Sequence, residues 1–506
     1  MANLLYLTRN VGITGTNLEN FDMECGMLRT NSLECTGGDT FICIAGGKVD
    51  GHDFICTAVD HGASLIVCER VTPYLAAHPE IPYITVDNTR LACAHMWNEY
   101  CGRPTERMIF AAVTGTNGKT STTYFLREIF KRAGYMTGVI GTVRCLVGDE
   151  PVILSDSAES NVNSMTTPAP EKLYPMLARM ADAGVEVVFM EASSHSLSQY
   201  RLDPIRFAVG IFTGLTQDHL DYHGDMESYY LAKKRLFELC GTALINVDDR
   251  FGQRLLGELD IPYVTYSAEG AQAHYYASGA ATESADGISY TFHDKNEYCT
   301  VSCPIAGAFC VSNTLAAAGT ARLFAIKSDV IREALAGCPQ VPGRMERVAL
   351  YDGCDFEIFI DYAHTPDALE NVLRCMLALK KPRGRLVVVF GCGGDRDRSK
   401  RPIMGRVATT MANLTVITGD NSRTENPRAI ICDILRGAAD GAECKVIEKR
   451  EKAIEHVILN HRPGDLILLA GKGHEDYLID ADGKHPFSES EIIHRTIRRM
   501  QDSQMP

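Results

Sequence analysis

The stretch "AAVTGTNGKTSTTYFLREIF", Ala111 to Phe130, passes from an apolar segment through a small glycine-bearing turn ending in Lys-Thr and into residues with helical spacing. The common phosphate-binding loop is Gly, four residues, then Gly-Lys-Ser/Thr. Gly118, Lys119 and Thr120 meet that pattern, whereas Val113 stands where the first glycine is wanted. Gly115 and Gly118 still let successive backbone N–H groups turn toward an anion, and the helix that follows presents its positive end. Lys119 is placed to neutralise outer phosphates and the Thr120 hydroxyl to meet Mg2+. Thr114, Gly115, Thr116, Asn117, Gly118, Lys119, Thr120 and Ser121 therefore read as a nucleotide loop between a strand and a helix. A glycine turn that holds no ligand is the alternative, and the order of strand, loop, Lys-Thr and helix speaks against it.

Around this loop lies a chain of 506 residues, too long for one core of ordinary size, so about two to four domains are expected. With 45% apolar and 23% charged residues it has the composition of a soluble globular protein. A net charge of −14 without a long basic run argues against a nucleic-acid partner, because counterion release needs clustered Lys and Arg. "MANLLYLTRN" lacks the basic start of a secretory signal, and no apolar run has the length of a membrane span. The 18 cysteines are scattered singly, many within apolar segments, with no Cys-x-x-Cys pair. They read as buried thiols of a cytoplasmic protein with no membrane insertion.

Strand-like runs "DTFICIAGG", "ASLIVCER" and "PYITVDN" precede a Gly/Pro/charge break at "CGRPTER". Next, "MIFAAV", "VEVVFMEAS", "AVGIFTGL" and "TALINVD" alternate with helical segments, which implies a parallel sheet with helices on both faces. A second break falls at "GCPQVPGRMERV". Beyond it "FEIFIDYAH", "RLVVVFGCGG", "LTVITGDN" and "DLILLAGKG" each end in a glycine-bearing or polar turn, the edge where open α/β sheets bind ligands. The expected fold is α/β in three domains, 1–103, 104–340 and 341–506.

Glu191 follows the strand "VEVVF", where a carboxylate can take a phosphate-bound magnesium. Asp218, His219, Asp221 and His223 lie close together; His219 and His223 are four apart, the spacing of a zinc pair on one helical face, but no third ligand follows at motif spacing. Lys233 and Lys234 by themselves read as a solvated helix face.

Taken in order, "TGTNGKTS", "EASSHSL", "QDHLDYHGDM", "AKKRLF", "PGRMERV", "DYAHTPDAL", "FGCGGDRDRSKRP", "GDNSRTENP" and "GKGHEDY" resemble the Mur ligase family from about residue 30 to the end of the chain. The match is closest to members that add the third residue to UDP-N-acetylmuramoyl-L-alanyl-D-glutamate. That family carries the T-G-T-N-G-K-T form of the loop, so Val113 is part of the resemblance. It implies a small N-terminal α/β domain for the UDP substrate, a central P-loop parallel-sheet ATPase domain and a C-terminal Rossmann-like domain. It also implies ATP and Mg2+, an acyl-phosphate intermediate and, as expected here, a monomer that works in peptidoglycan precursor synthesis.

The resemblance assigns roles residue by residue. Lys119, Glu191, His219 and Lys233 would serve the chemistry, with Thr120, Glu191, His219 and carbamylated Lys233 toward metal. Asn313, Arg344 and Asp361 would join the loop around ATP. Thr30, Ser32, Gly47, Lys48 and Val49 match positions for the UDP end, and Thr166, Thr167, Ser193, Gln199 and Arg201 those for the peptide end. The branch that uses meso-diaminopimelate has Asp-Asn-Pro-Arg, whose arginine pairs with the distal carboxylate; here Asp420, Asn421, Ser422 and Arg423 stand in that place, with Arg396, Gly471 and Glu475 matching as well. A guanidinium fork on the carboxylate and Glu475 on the ammonium suit a zwitterionic end.

Three motifs depart from the family pattern. Asn31-Ser32-Leu33 replaces Asp-Ser-Arg, Cys310 replaces the first asparagine of F-N-V-x-N, and Gly214 replaces the asparagine of F-T-N-L. Ser422 keeps open a ligase that uses lysine or another diamine. Other readings are an ATPase switch that forms no amide bond, which leaves "DNSR" and "GKGHE" unexplained, and a ligase for folate or a polyamino acid, which the N-terminal segment disfavours.

Overall fold

The computed structural model describes residues 2–47, 49–152, 165–270, 272–284, 286–295, 297–351 and 353–502. The chain divides into two compact units, one of Met1–Thr114, Tyr135–Gly210 and Ala232–Thr242, the other of Gly115–Gly134, Ile211–Leu231 and Ala243–Pro506.

In the first unit a five-stranded sheet runs in the order Ile13–Thr16, Tyr83–Val86, Leu65–Cys68, Thr40–Ile42, Leu28–Arg29. The last four are mutually parallel and Ile13–Thr16 lies antiparallel at the edge. Phe41, Cys43, Ile55, Ile66, Cys68 and Leu75 fill its core. A second sheet holds the parallel strands Thr137–Ile140, Val187–Glu191 and Ile109–Thr114. Nearly every residue of these three is buried, the continuous apolar pattern of strands covered on both faces. Register sets Glu191 beside Val113.

In the second unit, Tyr263–Ser267 pairs in parallel with Ala243–Asn246 and with the start of Tyr275–Ser284. Beyond the parallel strands expected for this third of the chain come antiparallel strands, Gly287–Asp294 and Glu297–Cys303. Only two residues separate each from its predecessor, whereas a parallel connection needs a dozen or more, so these strands can only fold back as hairpins.

The C-terminal sheet has the order Glu346–Arg347, Glu357–Asp361, Leu466–Ala470, Leu386–Phe390, Leu414–Ile417, Cys444–Val446, and all but the first are parallel. Ala470 is level with both Asp361 and Phe390, and Phe390 is level with Ile417. The turns that follow these four strands therefore leave the sheet at one edge. Below them Ile358, Ile360, Val389, Val416, Ile467 and Leu469 form a core with Ile454 and Ile493 from two helices.

Ile467 is fully buried in that core. Ile467→Ala should lower unfolding free energy by about 2–5 kcal/mol through lost burial and the residual cavity. Urea titration followed by circular dichroism would measure it, and a change under about 1 kcal/mol would contradict the packing described.

Candidate functional site

The strand Ile109–Thr114 delivers the glycine loop, and the helix Lys119–Arg132 leaves it. Val113 is a fully buried strand residue, so the turn starts two residues later, at Gly115. The Thr114 hydroxyl donates to the Ala192 carbonyl at 2.9 Å. Gly115 and Gly118 have φ of 149° and 85°. A Cβ on Gly115 would lie 1.9 Å from Thr213 Oγ1, and one on Gly118 would lie 2.4 Å from Asn313 Oδ1. Both positions therefore require glycine. Thr116 N–H donates to the Gly214 carbonyl (2.9 Å), Thr213 Oγ1 donates to the Asn117 carbonyl (2.6 Å), and Asn117 Nδ2 donates to Asp367 (2.8 Å). Lys119 Nζ folds back onto the Gly115 and Thr116 carbonyls at 2.9 and 2.8 Å. Thr120 and Ser121 are buried in the first helical turn.

Asn313, on the helix Ala308–Leu323, is brought onto the loop by its contact with Gly118. Arg344 Nη2 donates to Thr120 Oγ1 at 3.1 Å, and its guanidinium lies 4.6 Å from the Tyr362 ring centre. Asp361 ends its strand and accepts the N–H groups of Met345 and Ala363, both at 2.7 Å. Burial raises its carboxyl pKa, against Arg344 and these two donors.

Asp218 stands between two imidazole rings. Its Oδ2 lies 3.3 Å from His219 Nε2 and 4.0 Å from His364 Nε2. Burial alone would raise its pKa, but His219, His364 and Lys400 more than offset that and bring it down to about 2. His219 (φ 54°) precedes a four-residue helix, Leu220–His223, and does not share a helical face with His223. Both rings instead approach Tyr229, at 6.1 and 5.1 Å. No group of three His, Cys, Asp or Glu able to hold a metal occurs among the described residues.

In the first unit Glu191 is buried and accepts the Thr142 N–H and the Thr142 hydroxyl, each at 2.9 Å; Thr142 Oγ1 lies 3.0 Å from the Thr166 hydroxyl, which can donate to it. Thr167 Oγ1 donates to the Glu191 carbonyl (2.7 Å) and lies 3.2 Å from the Ser193 hydroxyl, which can donate to it. Arg201 reaches the Thr167 carbonyl at 2.7 Å and Gln199 Oε1 at 2.6 Å. These six residues and Glu191 thus form one hydrogen-bonded group. Lys233, at the end of Met226–Lys234, is 1% exposed, which overturns its reading as a solvated helix face. Ser32 is buried in a short 3-10 turn capped by Asn31, whose Oδ1 accepts Leu33 N–H, while Thr30 and Leu33 are exposed. Gly46 N–H donates to the Val49 carbonyl, exposing Gly47 and Val49 on a tight turn; Lys48 lies outside the described residues.

At the C-terminal sheet edge the remaining candidates converge. Asn421 Nδ2 donates to Glu475 Oε2 at 2.9 Å. Arg423 (φ 51°) donates to the Gly394 carbonyl at 2.7 Å. Burial, and then its neighbour Arg396, hold Arg423 below its ordinary pKa. Gly471 (φ 109°) lies against Asp420, 3.0 Å from its Oδ2 to a Cβ placed there. Ser422 is buried, and its carbonyl packs where a Cβ on Gly394 would sit, 1.9 Å away.

Sequence reasoning missed two residues that hold this cluster. Lys472, fully buried, donates to Asn421 Oδ1 (3.1 Å) and Glu475 Oε2 (3.0 Å) and lies 3.8 Å from Asp420 Oδ1. Arg401, also fully buried, bridges Glu425, Asp433 and the Gly393 carbonyl. The signal was a lysine and an arginine within "GKGHE" and "SKRP", neither distinguishable from surface cations without the fold.

Three family models match in chain order: the Mur ligase family catalytic domain over residues 24–100, the Mur ligase middle domain over 113–321, and the Mur ligase glutamate ligase domain over 343–473. A relative from Clostridium botulinum, named UDP-N-acetylmuramoyl-L-alanyl-D-glutamate--2,6-diaminopimelate ligase, is 38% identical over 94% of this chain and 96% of its own. The chain belongs to the Mur ligase family. A Nostoc relative of the same name is 40% identical over 93% of each chain. Among solved structures, one of a ligase with that name superposes with a TM-score of 0.67 at 27% identity, covering 99% of both chains. A MurF ligase from Thermotoga maritima in complex with ADP shares the fold at 17% identity, with a TM-score of 0.60 over 94% of this chain and 98% of its own.

As a Mur ligase the chain shows what its departures do locally. Gly214 has φ of 138°, a conformation that glycine adopts freely, and its carbonyl accepts Thr116 N–H. Cys310 is a core thiol bonded to the Ala306 carbonyl, its pKa pushed up by burial. Leu33 presents an apolar side chain to solvent.

Asp218 has a folded pKa below its ordinary 3.8. It therefore contributes stability that is complete above about pH 4 and is lost as pH falls through about 2, worth roughly 2 kcal/mol. Asp218→Asn should lose less unfolding free energy than the parent between pH 5 and 2 by about that amount; identical losses would contradict the assigned charge environment.

Proposed function

We propose that this chain is an ATP-dependent ligase that adds meso-diaminopimelate to the D-glutamate of UDP-N-acetylmuramoyl-L-alanyl-D-glutamate in peptidoglycan precursor synthesis. The observation that carries the choice of amino acid is the paired chemistry at the C-terminal sheet edge. Arg423 and its neighbour Arg396 offer guanidinium groups, while Glu475 is hydrogen-bonded to Lys472 and Asn421 and Asp420 lies 3.8 Å from the Lys472 ammonium. Cations on one side and carboxylates on the other suit the carboxylate and ammonium of a diaminopimelate end; lysine has only the ammonium there. Relatives named as diaminopimelate ligases, at 36–40% identity across nearly the full chain, support the same reading. Ser422 in place of the family's proline is the feature that would fit a lysine-using ligase.

On this reading residues 1–103 bind the UDP end through Thr30, Ser32, Gly47, Lys48 and Val49. Residues 104–340 hold ATP and the peptide end, and 341–506 the amino acid. ATP would lie on the loop 114–121, its adenine toward Asn313, its ribose toward Asp361 and its phosphates near Arg344. Lys119, now bonded to two loop carbonyls, would exchange them for phosphate oxygens. The D-glutamate carboxylate takes the γ-phosphoryl group and ADP leaves; the amine then attacks the acyl phosphate, loses a proton, and expels phosphate. Thr166, Thr167, Ser193, Gln199 and Arg201 orient the peptide, and their mutual hydrogen bonds fix them before substrate arrives.

By the family resemblance, Thr120, Glu191 and His219 would be the donors to Mg2+. Thr120 supplies a hydroxyl, Glu191 a buried carboxylate under which Gly141 leaves no room for a Cβ, and His219 an imidazole. The buried position of Lys233 supports its reading as a carbamate ligand. Bound there, the ion would screen the repulsion between phosphoryl group and carboxylate.

Incubating the protein with ATP and the UDP-linked dipeptide should release phosphate and form a tripeptide only when diaminopimelate is added. Faster turnover with lysine would overturn the choice of amino acid, and ATP hydrolysis without a new peptide would overturn the ligase reading. Arg423→Ala should raise KM for diaminopimelate at least roughly ten-fold, with ATP affinity little changed, because a charge-assisted fork contributes about 1.5–3 kcal/mol. Equal loss of both would contradict the role given to Arg423.

A further inference from the structure

We propose that Arg450 and Glu489, which belong to none of the recognised motifs, are positioning residues for the third amino acid, so that the last helix of the chain takes part in substrate selection. The inference rests on the ligase reading above.

Arg450 opens the helix Arg450–Leu459 and Glu489 opens Glu489–Asp502. Both side chains are buried, with 0% and 2% of their surface exposed. Arg450 Nε donates to Glu489 Oε1 at 2.8 Å, and Nη2 donates to the Ala470 carbonyl at 2.8 Å. Ala470 is the residue before Gly471, so this second bond fixes the start of the "GKGHE" turn. The third nitrogen, Nη1, lies 3.7 Å from Asp420 Oδ2. Among the described residues neither Arg450 Nη1 nor Glu489 Oε2 makes a hydrogen bond.

Asp420 consequently has a buried cation facing each oxygen, Arg450 at Oδ2 and Lys472 at Oδ1, neither at hydrogen-bond distance. Its pKa, which burial alone would raise, is held below the ordinary value by these two groups. Charges alternate without a break from Lys472 through Asp420 and Arg450 to Glu489. A buried ion pair is a poor way to stabilise a fold, because apolar side chains of the same volume often do as well or better. Here the pair instead ties together two binding turns, the one after Ile417 and the one after Ala470. The spare Nη1 donor sits where a shift of Asp420 by under about 1 Å completes a hydrogen bond. Arg450 thus keeps Asp420 ionised and limits its rotation, while Glu489 keeps Arg450 in place. The nucleotide loop is not touched by either residue.

The test is steady-state phosphate release by the full chain, varying diaminopimelate and ATP separately, for the parent, Arg450→Lys, Glu489→Gln and the double variant. Each single variant should raise KM for diaminopimelate by roughly ten-fold while kcat and KM for ATP stay within about two-fold, the pattern of lost amine binding. Because the residues act as one unit, the double variant should be no worse than about the weaker single variant. An unchanged KM for diaminopimelate, or a parallel loss in all three quantities, would overturn the proposal. Glu489→Gln preserves shape and Arg450 itself, so it decides the matter if Arg450→Lys does not fold. Failure of the ligase reading shows separately, in the parent: if the parent uses lysine in place of diaminopimelate, the same variants are run with lysine, where a raised KM for lysine supports the positioning role and an unmoved one overturns it.

Discussion

Parallel strands that end level with one another impose the arrangement of this molecule's chemistry. Asp361, Ala470, Phe390 and Ile417 are in register, so the chain has no choice but to turn at the same edge four times. Each strand is hydrophobic along nearly its whole length and buried on both faces, which leaves polar side chains only the turns to occupy. Residues far apart in the chain, from Arg396 to Glu475, are gathered by that constraint and not by any attraction among themselves.

Gathering them has an electrostatic cost that the same turns offset. Asp420, Glu475, Arg423 and Lys472 are wholly or partly withdrawn from water, and an isolated charge so placed would be severely destabilising. Alternating signs and shared hydrogen bonds through Asn421 make the group tolerable. Burial and the neighbouring Arg396 hold Arg423 below its ordinary pKa, an unfavourable pairing that a bound carboxylate would relieve on the proposed reading.

At the nucleotide loop the governing quantity is distance of approach. Thr213 and Asn313 come so close to Gly115 and Gly118 that no side chain fits there. Close packing of the loop against its neighbours fixes its shape, and Lys119 caps it by donating to the Gly115 and Thr116 carbonyls. Gly214, one of the departures from the family pattern, belongs to the same contact through its carbonyl bond to Thr116.

The strand runs and the loop Thr114–Ser121 were legible from the sequence because apolar periodicity and glycine spacing are local properties. The order of motifs was also enough to point to the family. Three things were decided only by the tertiary structure. Lys233 looked like a solvated residue because burial depends on what packs against a helix, which the helix's own spacing does not encode. The antiparallel strands Gly287–Asp294 and Glu297–Cys303 follow from two-residue connections, and those lengths are defined only once the folded strands show where each begins and ends. Lys472, Arg401, Arg450 and Glu489 acquired roles only when strand register brought distant turns and helix starts together, since a charge has no partner until the chain folds.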